Sequence, residues 1–308
     1  MRTLPALAAS AAALVLLAGC TTASQDAGAD PAASGSATTG SEGFDVSTVA
    51  EDATLAAAVP DAVAEDGKLT IGSELSYAPV DFVGTDNKTP VGIDIDIASA
   101  VAATLGLAPE VQPSTFDAII PAIGTRYEAG FSAFTITPER LETVNMVSYF
   151  SAGSQFAVAA GNPDGVDPAD LCGLTVGVQT GTVQQDEVEA ANDACADAGK
   201  DAVEVLPYDS QADVATNLAG GKLQVMYADS PITAYAVQQS DGALEALGDV
   251  TDAAPYGVVV AQDDTELAQA IQGALQRLMD DGTIAKIAES WGSADGALTT
   301  AELNPTVG

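Results

Sequence analysis

FSAFTITPER, residues 131–140, is the stretch on which the reading of this chain turns. An apolar run meets Thr-Ile-Thr-Pro and then delivers an arginine. The chain has 308 residues and nine Lys or Arg against 44 Asp or Glu, so a cation here needs a reason. EAGFSAFT, residues 128–135, predicts a strand ending at Thr135. Thr137 can cap the following helix, Pro138 suits its first position, and Arg140 falls in its first turn. A cation there opposes the helix dipole, which favours anions at that end. Arg140 is better explained if an anion comes to it, because an arginine fork beside free backbone N–H groups makes a carboxylate site. The bland alternative is a solvated arginine pairing with Glu139 or Glu142.

Outward from this stretch, strands and helices alternate. KLTIGSE (residues 68–74) reads as a β-branched strand, and VGIDIDIASAVAATLG (91–106) follows. Its Ile93, Ile97, Val101 and Leu105 lie at helical spacing, with Gly106 as the stop. A second set begins near Gly173, with strands in LTVGVQ, AVEVLPY and LQVMYAD and helices after the first and third. Another strand, YGVVVA, follows Pro255, and residues 266–292 read as helical. This alternation predicts an α/β fold in two lobes. Two mostly parallel sheets flanked by helices would be joined by hinge crossings at the irregular segments near 151–154 and 251–255. The expected partition is 59–153 plus 255–294 for one lobe, 154–254 for the other, and a tail over 295–308.

Ligands of open α/β sheets sit beyond the carboxyl ends of strands. Four strand-to-helix junctions are therefore candidates. Glu74 ends one strand, with Tyr77 close behind, and Thr135 precedes Arg140 at the second. Thr180, Gly181 and Thr182 offer hydroxyls and backbone N–H groups at the third. Asp229 stands at the fourth, where a plain N-cap is the competing explanation. Together they supply one cation, two carboxylates, hydroxyls and aromatic rings, a set complementary to a zwitterion. Arg140 would take an α-carboxylate and Asp229 an α-ammonium, since burying either charge alone costs several kcal/mol.

Composition narrows the classes. A formal charge of −35 disfavours nucleic acid as a partner. With no histidine, the commonest general base and metal ligand is missing, and no cofactor is implied. The first 19 residues pair Arg2 with a short apolar run, as in an export signal, too short to span a membrane. LAGC at residues 17–20 resembles a lipobox, which makes Cys20 the expected lipidation site and the mature protein membrane-tethered on the outer face. Residues 20–58 begin with small polar residues and are expected to form a flexible tether. In an exported protein the remaining cysteines, Cys172 and Cys195, read as a disulfide.

The stretches IGSELSYAPVDF, VGIDIDIASAVAATLG, FDAIIPAIGTRYEAGFSAFTITPER, LTVGVQTGTVQ, LAGGKLQVMYADSP, APYGVVVA and DDGTIAKIAESWG occur in an order and spacing that carry a resemblance. From about Lys68 to Gly292 the chain resembles the bacterial extracellular solute-binding proteins of family 3, the polar amino acid receptors of ABC importers, in their actinobacterial form. That resemblance implies a type II periplasmic-binding-protein-like fold. It gives the ligand carboxylate to Arg140 and Thr135, with the backbone at Thr182 and Val183. It gives the ammonium to Asp229 and the Ala133 carbonyl. Tyr77 and Phe116 would sandwich the ligand, and Glu74 and Ser132 would face its side chain. The sequence departs from the family where Val80 replaces a frequent aromatic residue and Val183 a frequent threonine.

The implied protein is a monomeric, lipid-anchored receptor, not an enzyme. It would bind a free polar amino acid, with a cationic or amide side chain favoured, and deliver it to an ABC permease driven by a cytoplasmic ATPase. No Walker-type glycine loop appears in this chain. Two alternatives remain open. The same fold also carries exported dehydratases and lyases, in which a residue such as Glu74 would act as acid or base. A receptor of this kind can also present its ligand to a sensor.

Overall fold

The computed structural model describes residues 43–307. The expected lipidation site Cys20, the expected export signal and the polar half of the expected tether lie outside them. Two short helices, α1 (Ala53–Ala56) and α2 (Asp61–Ala64), lead into strand β1 (Lys68–Ser73). A small antiparallel sheet follows, made of β2 (Ser76–Tyr77), β3 (Asp81–Val83) and β4 (Pro90–Val91). Then come α3 (Ile93–Thr104), β5 (Ala108–Pro113), α4 (Phe116–Ala122), β6 (Ala129–Gly130), α5 (Pro138–Leu141) and the long β7 (Val144–Ala159). The second half runs β8 (Thr175–Gln179), α6 (Val183–Asp197), β9 (Glu204–Tyr208), α7 (Gln211–Ala219), β10 (Val225–Asp229) and α8 (Ser230–Gln239). The chain returns through β11 (Leu244–Ala261) and ends in α9 (Thr265–Asp280) and α10 (Thr283–Ser290).

The main sheet has strand order β5-β1-β6-β11-β7-β10-β8-β9. At one end β1 pairs in parallel with β5 and β6, and at the other β8 pairs in parallel with β9 and β10. The two parallel halves are the expected α/β lobes. They are joined by β7 and β11, which pair antiparallel from Leu244↔Ala159 to Ala261↔Val144. The crossings expected as irregular segments are thus long strands. Register shifts interrupt them between Leu247 and Thr251, between Thr251 and Ala254, and between Tyr256 and Gly257. A strand tolerates such bulges and bends at them, so a paired ribbon can also act as a flexible joint.

Each half has its own apolar core. Ile93, Ile97, Val101 and Leu105, the residues at helical spacing, are at most 2% exposed and pack with Leu69, Ile71, Val258 and Ile271. Val176, Val178, Val188 and Val225 form a core in the other half. Helix α9 buries Leu267, Ile271, Leu275 and Leu278, a single stripe at helical spacing. Gly92, with φ of 132°, allows the turn into α3, because a Cβ there would lie 2.2 Å from the Val80 carbonyl oxygen. That turn sets the direction of Asp94.

The N-terminal end differs from expectation, and the tail over 295–308 packs as well. The tether was expected to stay free to residue 58, but Phe44, Val46, Val49 and Leu55 pack on the first core. The Phe44 N–H also donates to Asp96 Oδ2 at 2.8 Å. The tail bridges to β7 at Phe150↔Ala297 and Val147↔Leu303, and Asn304 Oδ1 accepts from the Met146 N–H at 2.8 Å. Apolar residues spaced among polar ones in both segments find a groove to fill, which composition alone does not reveal.

The cysteines form the expected disulfide, Cys172–Cys195, closing a separation of 23 residues at the start of the second half. Replacing both with serine should lower stability by about 3 kcal/mol by loop entropy. Urea unfolding of the two forms checks this, with an earlier midpoint expected for the double variant and a similar slope.

Candidate functional site

The TITPER stretch sits where the strand is cut short. β6 ends at Gly130, so the expected strand to Thr135 is replaced by irregular backbone with Ala133 at a φ of 50°. Two buried carboxylates take over the work of a strand partner. Asp94, in the first turn of α3, accepts the Ala133 N–H on Oδ2 at 2.7 Å and the Tyr149 hydroxyl on Oδ1 at 2.7 Å. Asp81, at the start of β3, accepts the Ser132 hydroxyl at 2.6 Å and the Ser73 hydroxyl at 2.8 Å on Oδ2. Both carboxylates are fully buried. The loop leaves its ladder with the Ala133 N–H satisfied by a side chain and the Ser132 hydroxyl anchored by another, which frees Ala133 and Thr135 to line a cavity.

Arg140 follows from α5, whose Thr137 cap accepts the Arg140 N–H at 3.2 Å. The guanidinium lies over the rings of Phe116 and Phe134, 5.4 and 5.7 Å from their centres. Its Nη1 donates to the Thr135 carbonyl at 2.7 Å and its Nη2 to the Gly181 carbonyl at 3.1 Å, so it reaches from one half to the other. The alternative of a solvated pair with Glu139 or Glu142 is not what the side chain does, since neither is among its salt-bridge partners. Burial lowers its pKa, and the field of Asp229 opposes that shift.

From the other half, Asp229 ends β10 at 5% exposure. Its Oδ2 accepts the Tyr77 hydroxyl at 2.8 Å and its Oδ1 the Gln184 amide at 2.9 Å. Burial raises its pKa, and those two donors together with the charge of Arg140 pull it back. The Tyr256 hydroxyl is buried close enough to feel the Asp229 charge but reaches no hydrogen-bond geometry. Thr182 caps α6, with its side chain accepting the Gln185 N–H. First-turn N–H groups such as those of Val183 and Gln184 have no carbonyl within the helix to bond.

These residues surround one cavity. It is lined by Tyr77, Phe116, Ala133, Thr135, Arg140, Thr182, Val183 and Asp229, eight of the ten residues singled out in the sequence. Gln179 and Gln184 complete the wall. Glu74 and Ser132 stand behind it. Ser132 spends its hydroxyl on Asp81 and on the Glu74 N–H, which donates to it at 3.0 Å. Glu74 accepts the Ser76 N–H at 3.1 Å and has the Gln179 amide beside it. Burial is the main cause of its raised pKa. The free space in the cavity is only about 10 Å³, enough for roughly one water. Arg140 is the one cationic and Asp229 the one anionic side chain in its wall.

Sequence reasoning passed over Asp81, Asp94, Gln179 and Gln184. Asp94 had a signal, because it breaks an otherwise apolar face of α3 in GIDID. The two glutamines had none, since glutamine is common on solvated surfaces and only the meeting of the two halves buries it.

Two parallel α/β halves on a paired hinge, with a narrow polar cavity between their strand ends, define an extracytoplasmic solute-binding receptor. Residues 69–294 match the description "Bacterial extracellular solute-binding proteins, family 3". This chain belongs to that family. It is 34% identical over 253 residues to the arginine-binding protein of Corynebacterium glutamicum, covering 81% of this chain and 82% of that one. An ancestral arginine-binding protein solved with arginine bound has a TM-score of 0.68 and 32% identity, covering 73% of this chain and 98% of its own. An ancestral amino acid-binding protein described as a precursor of cyclohexadienyl dehydratase gives 0.68 and 28%, over 77% and 99%. Among the described residues no helix is long and apolar enough to cross a membrane.

The buried carboxylates give stability an unusual pH dependence. Burial pushes the Asp94 carboxyl up to about 7 from an ordinary 3.8, and Asp81 shifts the same way through burial and the charges of Asp94 and Glu74. The folded chain then holds a proton that the unfolded chain has released, so stability falls as pH rises from about 4 to 7. Tyr149, the Ala133 N–H, Asp81 and Asp229 are the groups that face or act on Asp94. Melting should occur at a higher temperature at pH 5 than at pH 7.5. Asp94→Asn should remove much of that difference; an unchanged slope would assign the effect to the surface charge.

Proposed function

We propose that this protein is a lipid-anchored receptor that binds a free cationic amino acid, arginine first, and delivers it to an ABC permease with its cytoplasmic ATPase. The observation that carries the reading is the meeting of Arg140 and Asp229, from opposite halves, in the wall of one narrow cavity. A zwitterion complements both charges at once. In this reading Arg140, Thr135 and the N–H groups at Thr182 and Val183 hold the α-carboxylate, while Asp229 and the Ala133 carbonyl hold the ammonium. Tyr77 and Phe116 flank the ligand, and Glu74 and Ser132 act on its side chain from behind the wall. The arginine-binding relatives support the choice of substrate, and so does the buried Glu74, which has no cation paired to it among the described residues.

Residues 59–153 with 255–294 form one lobe of the proposed clamp and 154–254 the other. The cavity is too small for an amino acid, so ligand enters when the lobes separate at the β7–β11 joint and is sealed when they close. Closure removes water and strengthens the charged contacts. Cys20, after a signal over 1–19, would carry the lipid that holds a monomeric receptor at the outer face of the membrane, with the segment to Gly43 as the leash.

A thermal-shift screen from Asp45 onward tests the substrate. Arginine at 100 times its dissociation constant should add about 2.7 kcal/mol of stability and a clear rise in melting temperature. Titration calorimetry tests the residues. Arg140→Ala and Asp229→Ala should each weaken arginine binding by about 100-fold or more, because each leaves its partner charge buried and unpaired. Parent-like affinity in both variants would refute the assignment. The buried Glu74 and the likeness to a dehydratase precursor also admit an enzyme, which recovery of arginine intact after incubation would exclude.

A further inference from the structure

Gln211 has no role in the site as described, yet its environment is unusual. It opens α7 on the second half, is 2% exposed, and among the described residues neither Oε1 nor Nε2 of its amide has a hydrogen-bond partner. Buried amides are nearly always paired, so an orphan donor and acceptor on one side chain calls for an explanation. The position supplies one. The Gln211 N–H donates to Ser76 Oγ at 3.1 Å across the seam between the halves. The Ser76 N–H in turn donates to Glu74 Oε2 at 3.1 Å. Gln179, which lies beside Glu74 and lines the narrow cavity, donates from its amide to the Asp209 carbonyl at 3.2 Å, two residues before Gln211. Glu74, Ser76, Gln179 and Gln211 are thus strung along one stretch of the seam. A cavity of about 270 Å³ beyond Ser76 and Gln211 gives this stretch room to yield.

We propose that Gln211 is a specificity-determining residue, and that with Glu74 it selects a guanidinium side chain over an ammonium. This rests on the amino acid receptor reading above. A guanidinium is a planar fork of five N–H donors. A carboxylate satisfies two of them side by side, and the rest need further acceptors. The Gln211 Oε1 is such an acceptor, brought in from the opposite half on closure, while its Nε2 can donate to the carboxylate that the ligand has ionised. A lysine ammonium is a compact charge that Glu74 and water can satisfy without a second planar partner.

The test is calorimetry with L-arginine, L-lysine and L-citrulline on the parent and on Gln211→Met, which keeps the side-chain length and removes both polar atoms. Arginine affinity should fall about 10- to 100-fold in the variant, the loss expected for one hydrogen bond to a charged group. Lysine affinity should change by less than about threefold, so the arginine-to-lysine preference collapses. Citrulline, with a planar but neutral end, should lose affinity in parallel with arginine. Equal losses for arginine and lysine, or an unchanged arginine affinity in a variant that melts like the parent, would overturn the role of Gln211. If the parent binds none of the three, it is the receptor reading for cationic amino acids that fails, and the two failures are told apart by the parent alone.

Discussion

The bond from the Ala133 N–H to the Asp94 carboxylate is the contact on which the site depends. It holds residue 133 in a left-handed turn, ends β6 at Gly130, and lets the next residues face a cavity in place of a neighbouring strand. Asp81 anchors the same loop through the Ser132 hydroxyl. Backbone that leaves a sheet must find other partners, and here the Asp94 side chain buried under the loop provides one. Arg140 stands where it does because that loop ends where it does. Placing two carboxylates in an apolar core is costly, and the raised pKa values of both are the sign of that cost.

The electrostatics of the chain make sense at two scales. Most of the 44 acidic side chains sit on the surface of a protein with few cations, where solvent screens them. Within the cavity the count is different, one cation and one carboxylate drawn from opposite halves. Arg140 donates to the Gly181 carbonyl and Tyr77 donates to Asp229, so in the closed arrangement each half satisfies groups of the other. These contacts are the same groups that an amino acid would claim. Ligand and seam would therefore compete for them, so part of the binding free energy would go to replacing contacts the chain already makes.

The connection between the halves is a ribbon, not a pair of loose linkers. β7 and β11 stay paired across the joint, with bulges that concentrate bending near Thr251 and Ala254. The tail bonds along β7 between Phe150 and Met146. A joint of this kind would confine the proposed opening and closing to one path, because most of its hydrogen bonds would survive the movement.

The alternation of strands and helices, the apolar stripe of α3, the disulfide and, around the cavity, Tyr77, Thr135, Arg140, Thr182 and Asp229 could be read from the chain, since each rests on local spacing or on residue chemistry, while Phe116, Ala133 and Val183 came from the family resemblance. What could not be read depends on contacts between distant segments. FSAFT has the composition of a strand, and only the arrival of Asp81 and Asp94 from 51 and 39 residues away stops it being one. The crossings looked irregular because their glycine and polar residues are poor strand formers singly, and pairing with each other made them strands. Gln184 and Gln211 look like surface residues until two halves close over them. The sequence by itself determined which side chains carry the chemistry and the order in which they come. The tertiary structure decided which of them face the cavity, because a hydrogen bond between segments far apart in the chain is invisible to any reading of neighbours.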